Sequence, residues 1–267
     1  MLEKRSNDFV ATGQKIACIT LDLEQDYGRV DTYNTFDRIN ELCEIVKAHD
    51  IKLTAFIVGK ILDQRHGVVD ALSGVGTEFE LHSYSHDLVT PNDFSDEVQK
   101  SKKAYIDYFG VPPLGYRSPQ CRVSPQHFEV LARQGFVFDS SVVPSWRPGV
   151  YSNMSAPSLP YYTNGLIEIP FSVIPAIHLP LTMSYIKVFG KMYRFLLTAF
   201  GFPRVLIFNF HLHDIFSTAS LNQLPFAYQI FHRRNAKNAL EMLKRFFILL
   251  KHKGYEFLHM KRLVEMI

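Results

Sequence analysis

His82 and His86, in the run His82-Ser83-Tyr84-Ser85-His86, put two imidazoles four residues apart. On one helical turn side chains at that spacing point the same way, so both rings can reach a single cation. The pair follows Glu78-Phe79-Glu80-Leu81, which reads as a buried strand ending in a loop. Upstream, the apolar run 16–21 leads into Asp22-Leu23-Glu24-Gln25-Asp26. Two histidines and one carboxylate at the ends of neighbouring strands make a three-ligand site with positions left open for water. Such a site generates a nucleophile from water and polarises a carbonyl, which is the chemistry of hydrolysis.

Strands must position these groups, and the pattern supplies them. Residues 16–22 and 53–58 have strand character, and apolar residues at helical spacing fill 35–49. A helix is expected over 94–109, closed by Gly110 and two prolines. A strand end follows at Gly115-Tyr116-Arg117, then a helix capped by Ser124-Pro125 and a short strand ending at Asp139. Residues 166–169, 205–210 and 255–258 supply further strands, with helices over 185–200 and 234–252. Strands alternating with helices give an α/β fold with a parallel sheet. Asp22, His82, Arg117, Asp139 and His211 each stand directly after a strand. In a barrel those ends share one face, where active sites are built, and this favours a closed barrel over an open sheet.

The 267 residues form one expected domain, 1–267, since no linker or repeat divides them. Apolar residues are 47% and charged residues 21%, which suits a sizeable core. A net charge of +3 without a dense basic block argues against nucleic acid as a partner. Cys18, Cys43 and Cys121 are odd in number and form no CxxC pair, as expected of reduced thiols. The stretch from Met1 to Asp8 lacks the apolar core of a signal peptide, and the expected location is cytoplasmic.

In order along 16–215 the motifs resemble those of the polysaccharide deacetylases, carbohydrate esterases with the chitooligosaccharide deacetylase homology domain. The resemblance implies a distorted (β/α) barrel with about seven parallel strands. Leu21-Asp22-Leu23-Glu24 is similar to the first motif, in which one carboxylate is the general base and a second binds the metal. The family's adjacent Asp-Asp is absent, so either Glu24 or Asp26 is the metal carboxylate, with Glu24 first because strand alternation turns it inward with Asp22. His82 and His86 resemble the two histidine ligands. Tyr116-Arg117-Ser118-Pro119 resembles the motif whose arginine orients the base, and Phe138-Asp139-Ser140-Ser141 stands where a fourth is expected. Phe210-His211-Leu212-His213-Asp214 resembles the last, which carries the general acid. Its histidine is doubled: His211 is the first choice and His213 the second, with Asp139 or Asp214 to hold the ring.

The implied reaction is removal of an N-acetyl or similar acyl group from an amino sugar or glycoconjugate. The implied cofactor is a divalent metal, zinc first, with cobalt, nickel or iron also compatible with the ligands. Two rivals remain: a hydrolase of another linear or cyclic amide, and a non-catalytic glycan-binding barrel. Trp146 offers either a sugar-stacking ring or a loop residue over the barrel mouth. The other histidines, His127, His178 and His232 among them, have no partners at useful spacing. Ile186, Phe189, Tyr193, Leu196, Leu197 and Phe200 make a helical stripe, with Lys187, Lys191 and Arg194 on another face. That pattern suits an outer barrel helix or, as the second reading, peripheral contact with the inner membrane surface and a lipid-linked substrate.

Overall fold

Alternation along the first strand sets the whole architecture. In the computed structural model, which describes residues 13–87 and 93–267, β1 is Lys15–Leu23. Its odd positions, Ala17, Ile19, Leu21 and Leu23, pack into the layer between sheet and helices. Ile16 and Cys18 face the opposite way, into a second apolar cluster inside the barrel. Continuing up that inner face come Thr20, Asp22 and Glu24, all buried. One strand therefore runs from an apolar floor to a polar mouth in steps of two residues.

Around it stand β2 (Leu53–Ile57), β3 (Glu78–Leu81), β4 (Gly115–Tyr116) and β5 (Phe138–Asp139). Two short hairpins follow, β6 (Trp146–Arg147) with β7 (Tyr151–Ser152), and β10 (Val173–Ile174) with β11 (Leu179–Pro180). Between them lie β8 (Tyr161–Thr163) and β9 (Leu166–Glu168), and β12 (Val205–His211) and β13 (Tyr255–Phe257) come last. The sheet order is β12-β1-β2-β3-β4-β5-β9-β8, parallel from β12 through β9, with β8 antiparallel at the end and β13 paired to β1. The parallel run matches the expected number of barrel strands. Closure between β9 and β12 is irregular: Ser172 N–H donates to Ile207 O (3.1 Å), and its Oγ accepts from Ile207 N–H (2.8 Å). The bonds of Ser172 and one isolated parallel bridge, Thr182 to Asn209, stand here in place of a full ladder.

The floor is filled by Phe138, Phe56, Ile207 and Met260, the last from the Met260–Met266 helix. Phe138 needs Gly115 beside it, because a Cβ there would lie 2.0 Å from the ring.

Several expectations shift. The expected 35–49 helix begins as a 3-10 segment, Asn34–Arg38, before the α-helix Ile39–Ala48. The expected 185–200 helix is broken at Gly190 into Met183–Phe189 and Lys191–Phe200. Its stripe is the packing face: Ile186, Tyr193 and Leu197 are buried in the core, and Lys187 is buried 3.8 Å from Asp214. Burial of Ile186, Tyr193 and Leu197 fits the outer-helix reading, while Phe200 of the same stripe is exposed. No described helix is long and apolar enough to cross a membrane. The reading of Met1 to Asp8 lies outside the described residues.

Candidate metal and catalytic site

His82 and His86 do converge, but not on a helical turn. Residues 82–87 form an irregular loop in which Ser83 and His86 have φ of 63° and 67°. Non-glycine residues adopt that left-handed conformation only when their surroundings enforce it. Ser83 Oγ accepts the His86 N–H at 2.9 Å. Glu97, from the Phe94–Phe109 helix, accepts from Tyr84 N–H (3.1 Å), Ser85 N–H (2.7 Å) and the Ser85 hydroxyl (2.8 Å). One distant carboxylate thus clamps the loop between the two imidazoles. Sequence reasoning missed it, because Glu97 lies a loop and a turn of helix away and carries no local mark.

Glu24 meets this pair from β1. Its Oε2 lies 2.5 Å from His86 Nε2 and 3.6 Å from His82 Nε2. One ligand atom from each of the three lies within 4.8 Å of the others, and all three residues are buried. His82 Nδ1–H donates to the Arg117 carbonyl at 2.8 Å, which leaves the Nε2 lone pair for a ligand. Gly28, with φ of 63°, supports the same cluster: a Cβ there would lie 2.8 Å from Glu24 Oε1. The donor set, its burial and the fixed His82 tautomer fit a divalent cation.

Asp26, the alternative carboxylate, is placed elsewhere. Both its oxygens are occupied, by Thr32 Oγ1 (2.8 Å), Asn34 N–H (3.0 Å), Thr35 N–H (3.1 Å), Thr35 Oγ1 (2.9 Å) and Ser220 Oγ (2.8 Å). It ties the loop after β1 to the segment near Ser220 and has no oxygen directed at the histidines. This corrects its candidacy as a ligand.

Asp22 sits two residues before Glu24 on the same inner face. Its Oδ1 accepts from Arg117 Nη1 at 2.7 Å and its Oδ2 from Asn209 Nδ2 at 2.9 Å. Burial alone would raise the Asp22 pKa, but the adjacent Arg117 guanidinium overrides it and holds the carboxyl well below its usual range. Arg117 is fully buried between the Phe56 and Phe171 rings, 3.9 and 4.4 Å from their centroids. Its Nη1 is shared among Asp22, Thr20 Oγ1 and Asn209 Oδ1, while Nε donates to the Ser140 carbonyl and Nη2 to the Ser140 hydroxyl. Asn209 was not singled out from the sequence, although it lies two residues before His211 and so on the same face.

Across the mouth, β12 pairs His211 in register with Asp22. His211 Nε2 lies 3.4 Å from Asp22 Oδ2 and 3.9 Å from Glu24 Oε1, while Nδ1–H donates to Asp214 Oδ2 at 3.0 Å. Burial would lower the His211 pKa, but the bonds to Asp214 and Asp22 prevail and raise it well above the ordinary value. His213 is different: its Nδ1 accepts the Tyr27 N–H at 3.1 Å, and burial, with His211 nearby, lowers its pKa to about 3. A ring held neutral is no proton donor in an acid step, which corrects the candidacy of His213. Asp214 orients His211. Asp139 instead accepts from Ser141 N–H and Oγ (both 2.9 Å) and lies beside Glu168 in register, in the layer of Tyr116. His232, set aside in the sequence, packs its ring against Tyr27 and His213. Trp146 is exposed, while its neighbours Arg147, Pro148 and Tyr151 line the cleft. The cleft over Asp22, Glu24 and His211 holds about 760 Å³, ample for a sugar ring.

Residues 11–138, just under half of the chain, match the polysaccharide deacetylase family. A stretch of 94 residues, 34% of the chain, is 30% identical to a peptidoglycan deacetylase-like protein of Gibberella zeae. The match spans 28% of that relative's length. Among solved structures the fold is similar to a Mycobacterium smegmatis protein assigned as a polysaccharide deacetylase, with a TM-score of 0.61 at 16% identity, covering 94% of this chain and 90% of that one. It is also similar to the Puue allantoinase, with a TM-score of 0.64 at 16% identity, covering 96% of this chain and 91% of that one. These likenesses establish the distorted (β/α) barrel. The family match ends at Asp139's neighbour, so the His211 side of the site rests on geometry alone.

Proposed function

We propose that this protein is a metal-dependent N-deacylase of an acetylated amino sugar or glycoconjugate, with Glu24, His82 and His86 as metal ligands, Asp22 as base and His211 as acid. The observation that carries the reading is the meeting of two strands: Asp22 on the inner face of β1 with Glu24 just past its end, and His211 on β12 in register with Asp22. A divalent cation in this cluster, zinc first, would make water nucleophilic and stabilise charge developing on the acyl oxygen. Asp22 Oδ2 accepts the proton of the attacking water, and Arg117 with Asn209 keeps that oxygen ionised and aimed into the cleft. His211 Nε2–H protonates the departing nitrogen, with Asp214 fixing the ring from behind. The free thiols of Cys18, Cys43 and Cys121 support a cytoplasmic location for this activity.

Acetate release from a panel of N-acetyl sugars tests the reading. Release that requires added metal and falls about 10²–10⁴-fold in Asp22→Asn is expected. No release from any N-acetyl sugar, with ring opening of a cyclic ureide instead, would replace the deacylase by another amide hydrolase. No turnover at all would leave a glycan-binding barrel.

A further inference from the structure

The helix Phe226–Arg233 has no buried residue, although half its length is large and apolar. Phe226 is 72% exposed and Ile230 57%. A surface helix ordinarily buries its apolar side chains, so these lack a partner in this chain. The helix has two functional sides. Ala227, Tyr228, Phe231 and His232 line the cleft that holds Asp22, Glu24 and His211. Phe226, Ile230 and Arg233, one stripe at helical spacing, are not part of the cleft wall and face away from it.

Charge indicates what covers that stripe. From Ile215 to Leu240 there is no Asp or Glu, while Arg233, Arg234 and Lys237 follow one another. Beyond the bond from Asn235 Nδ2 to Lys187 O (2.7 Å), the helix Lys191–Phe200 exposes Met192 and Phe195, each directly after a cation, Lys191 and Arg194. Apolar side chains interleaved with cations suit an anionic bilayer, whose acyl boundary takes the rings and whose headgroups take the charges. The cleft itself repeats the preference. Arg29, Arg122 and Arg147 line it, and none has a carboxylate partner among the described residues.

We propose that Phe226–Arg233 seats the mouth of the cleft on an anionic lipid surface, so that the substrate is an N-acyl sugar carried on an anionic lipid. The substrate half rests on the deacylase reading; the docking half does not.

Full-length protein is sedimented with vesicles of phosphatidylcholine alone and of phosphatidylcholine mixed with phosphatidylglycerol. Binding to the mixed vesicles only, weakened by salt, is expected. Phe226→Glu with Ile230→Glu should abolish it, and each of Arg233→Gln and Arg234→Gln should weaken it about fivefold. Melting temperature and acetate release from a soluble sugar should be unchanged in all of these. Vesicle binding without release from any sugar supports the docking surface and defeats the deacylase. Release without vesicle binding overturns the inference and leaves the deacylase standing. Equal binding to both vesicle types, or a dimer in light scattering that Phe226→Glu with Ile230→Glu splits, also overturns it, the latter by making the helix a self-interface.

Discussion

Glu24 and Asp26 stand two residues apart, both buried, and differ in what their oxygens already hold. Asp26 accepts five hydrogen bonds from its own loop and Ser220, whereas Glu24 has only imidazoles around it. Glu24→Gln should therefore abolish stoichiometric metal in elemental analysis, and Asp26→Asn should retain it while destabilising the fold by about 1–3 kcal/mol in denaturant melts. The reverse pattern would make Asp26 the ligand. Strand alternation made the inward pairing of Asp22 with Glu24 legible in the sequence. The role of Asp26 was not legible, because its partners at Thr32, Thr35 and Ser220 are assembled only by the folded loop. His211 and His213 pose the same problem. Both carry the residue type that an acid needs, and only the Tyr27 amide and the Asp214 carboxylate tell them apart.

At the scale of elements, β1, β2, β3 and β12 were readable from their apolar runs, whose inner and outer faces follow alternation. The loop between β3 and the Phe94–Phe109 helix was not. Its histidine spacing suggested a helical turn, but left-handed Ser83 and His86 give the convergence instead. Glu97 holds that shape, so it acts on the metal through the loop. Replacing Glu97 by Ala should weaken metal affinity about 10–100-fold in a competitive chelator titration, with Gln recovering part of the loss by keeping one acceptor oxygen. Unchanged affinity in Glu97→Ala would show that the loop holds itself. The Phe226–Arg233 helix escaped the sequence reading for another reason: its apolar residues face no core, so the usual inference from amphipathic pattern to burial fails there.

Across the whole molecule the inner face changes from Ile16, Ile207 and Phe138 at the floor to Asp22, Glu24 and His211 at the mouth. The outer layer also holds a buried acidic pair, Asp139 and Glu168, joining β5 to β9. Burial raises both pKa values: Asp139 to about 6, and Glu168, next to the Asp139 charge, well above its usual range. The native pair thus keeps protons that the unfolded chain, with values near 3.8 and 4.5, would release. Its contribution to stability is complete below those unfolded values and is lost as pH rises through 6 and beyond. Glu168→Gln supplies a permanent N–H in place of the retained proton. Thermal melts from pH 5 to pH 8 should show a smaller decline in the variant than in the parent, and parallel declines would remove the pair from the pH dependence. Neither partner was marked by the sequence for this role, since pairing β5 to β9 spans the irregular stretch that pattern left unassigned.

Anomalous diffraction at the zinc edge from crystals grown with zinc would show which side chains hold the cation. One peak is expected about 2.0–2.2 Å from Glu24, His82 Nε2 and a ring nitrogen of His86, with Asp26 not coordinating. A peak on any other set of side chains, or none at this cluster in metal-saturated crystals, would contradict that ligand set.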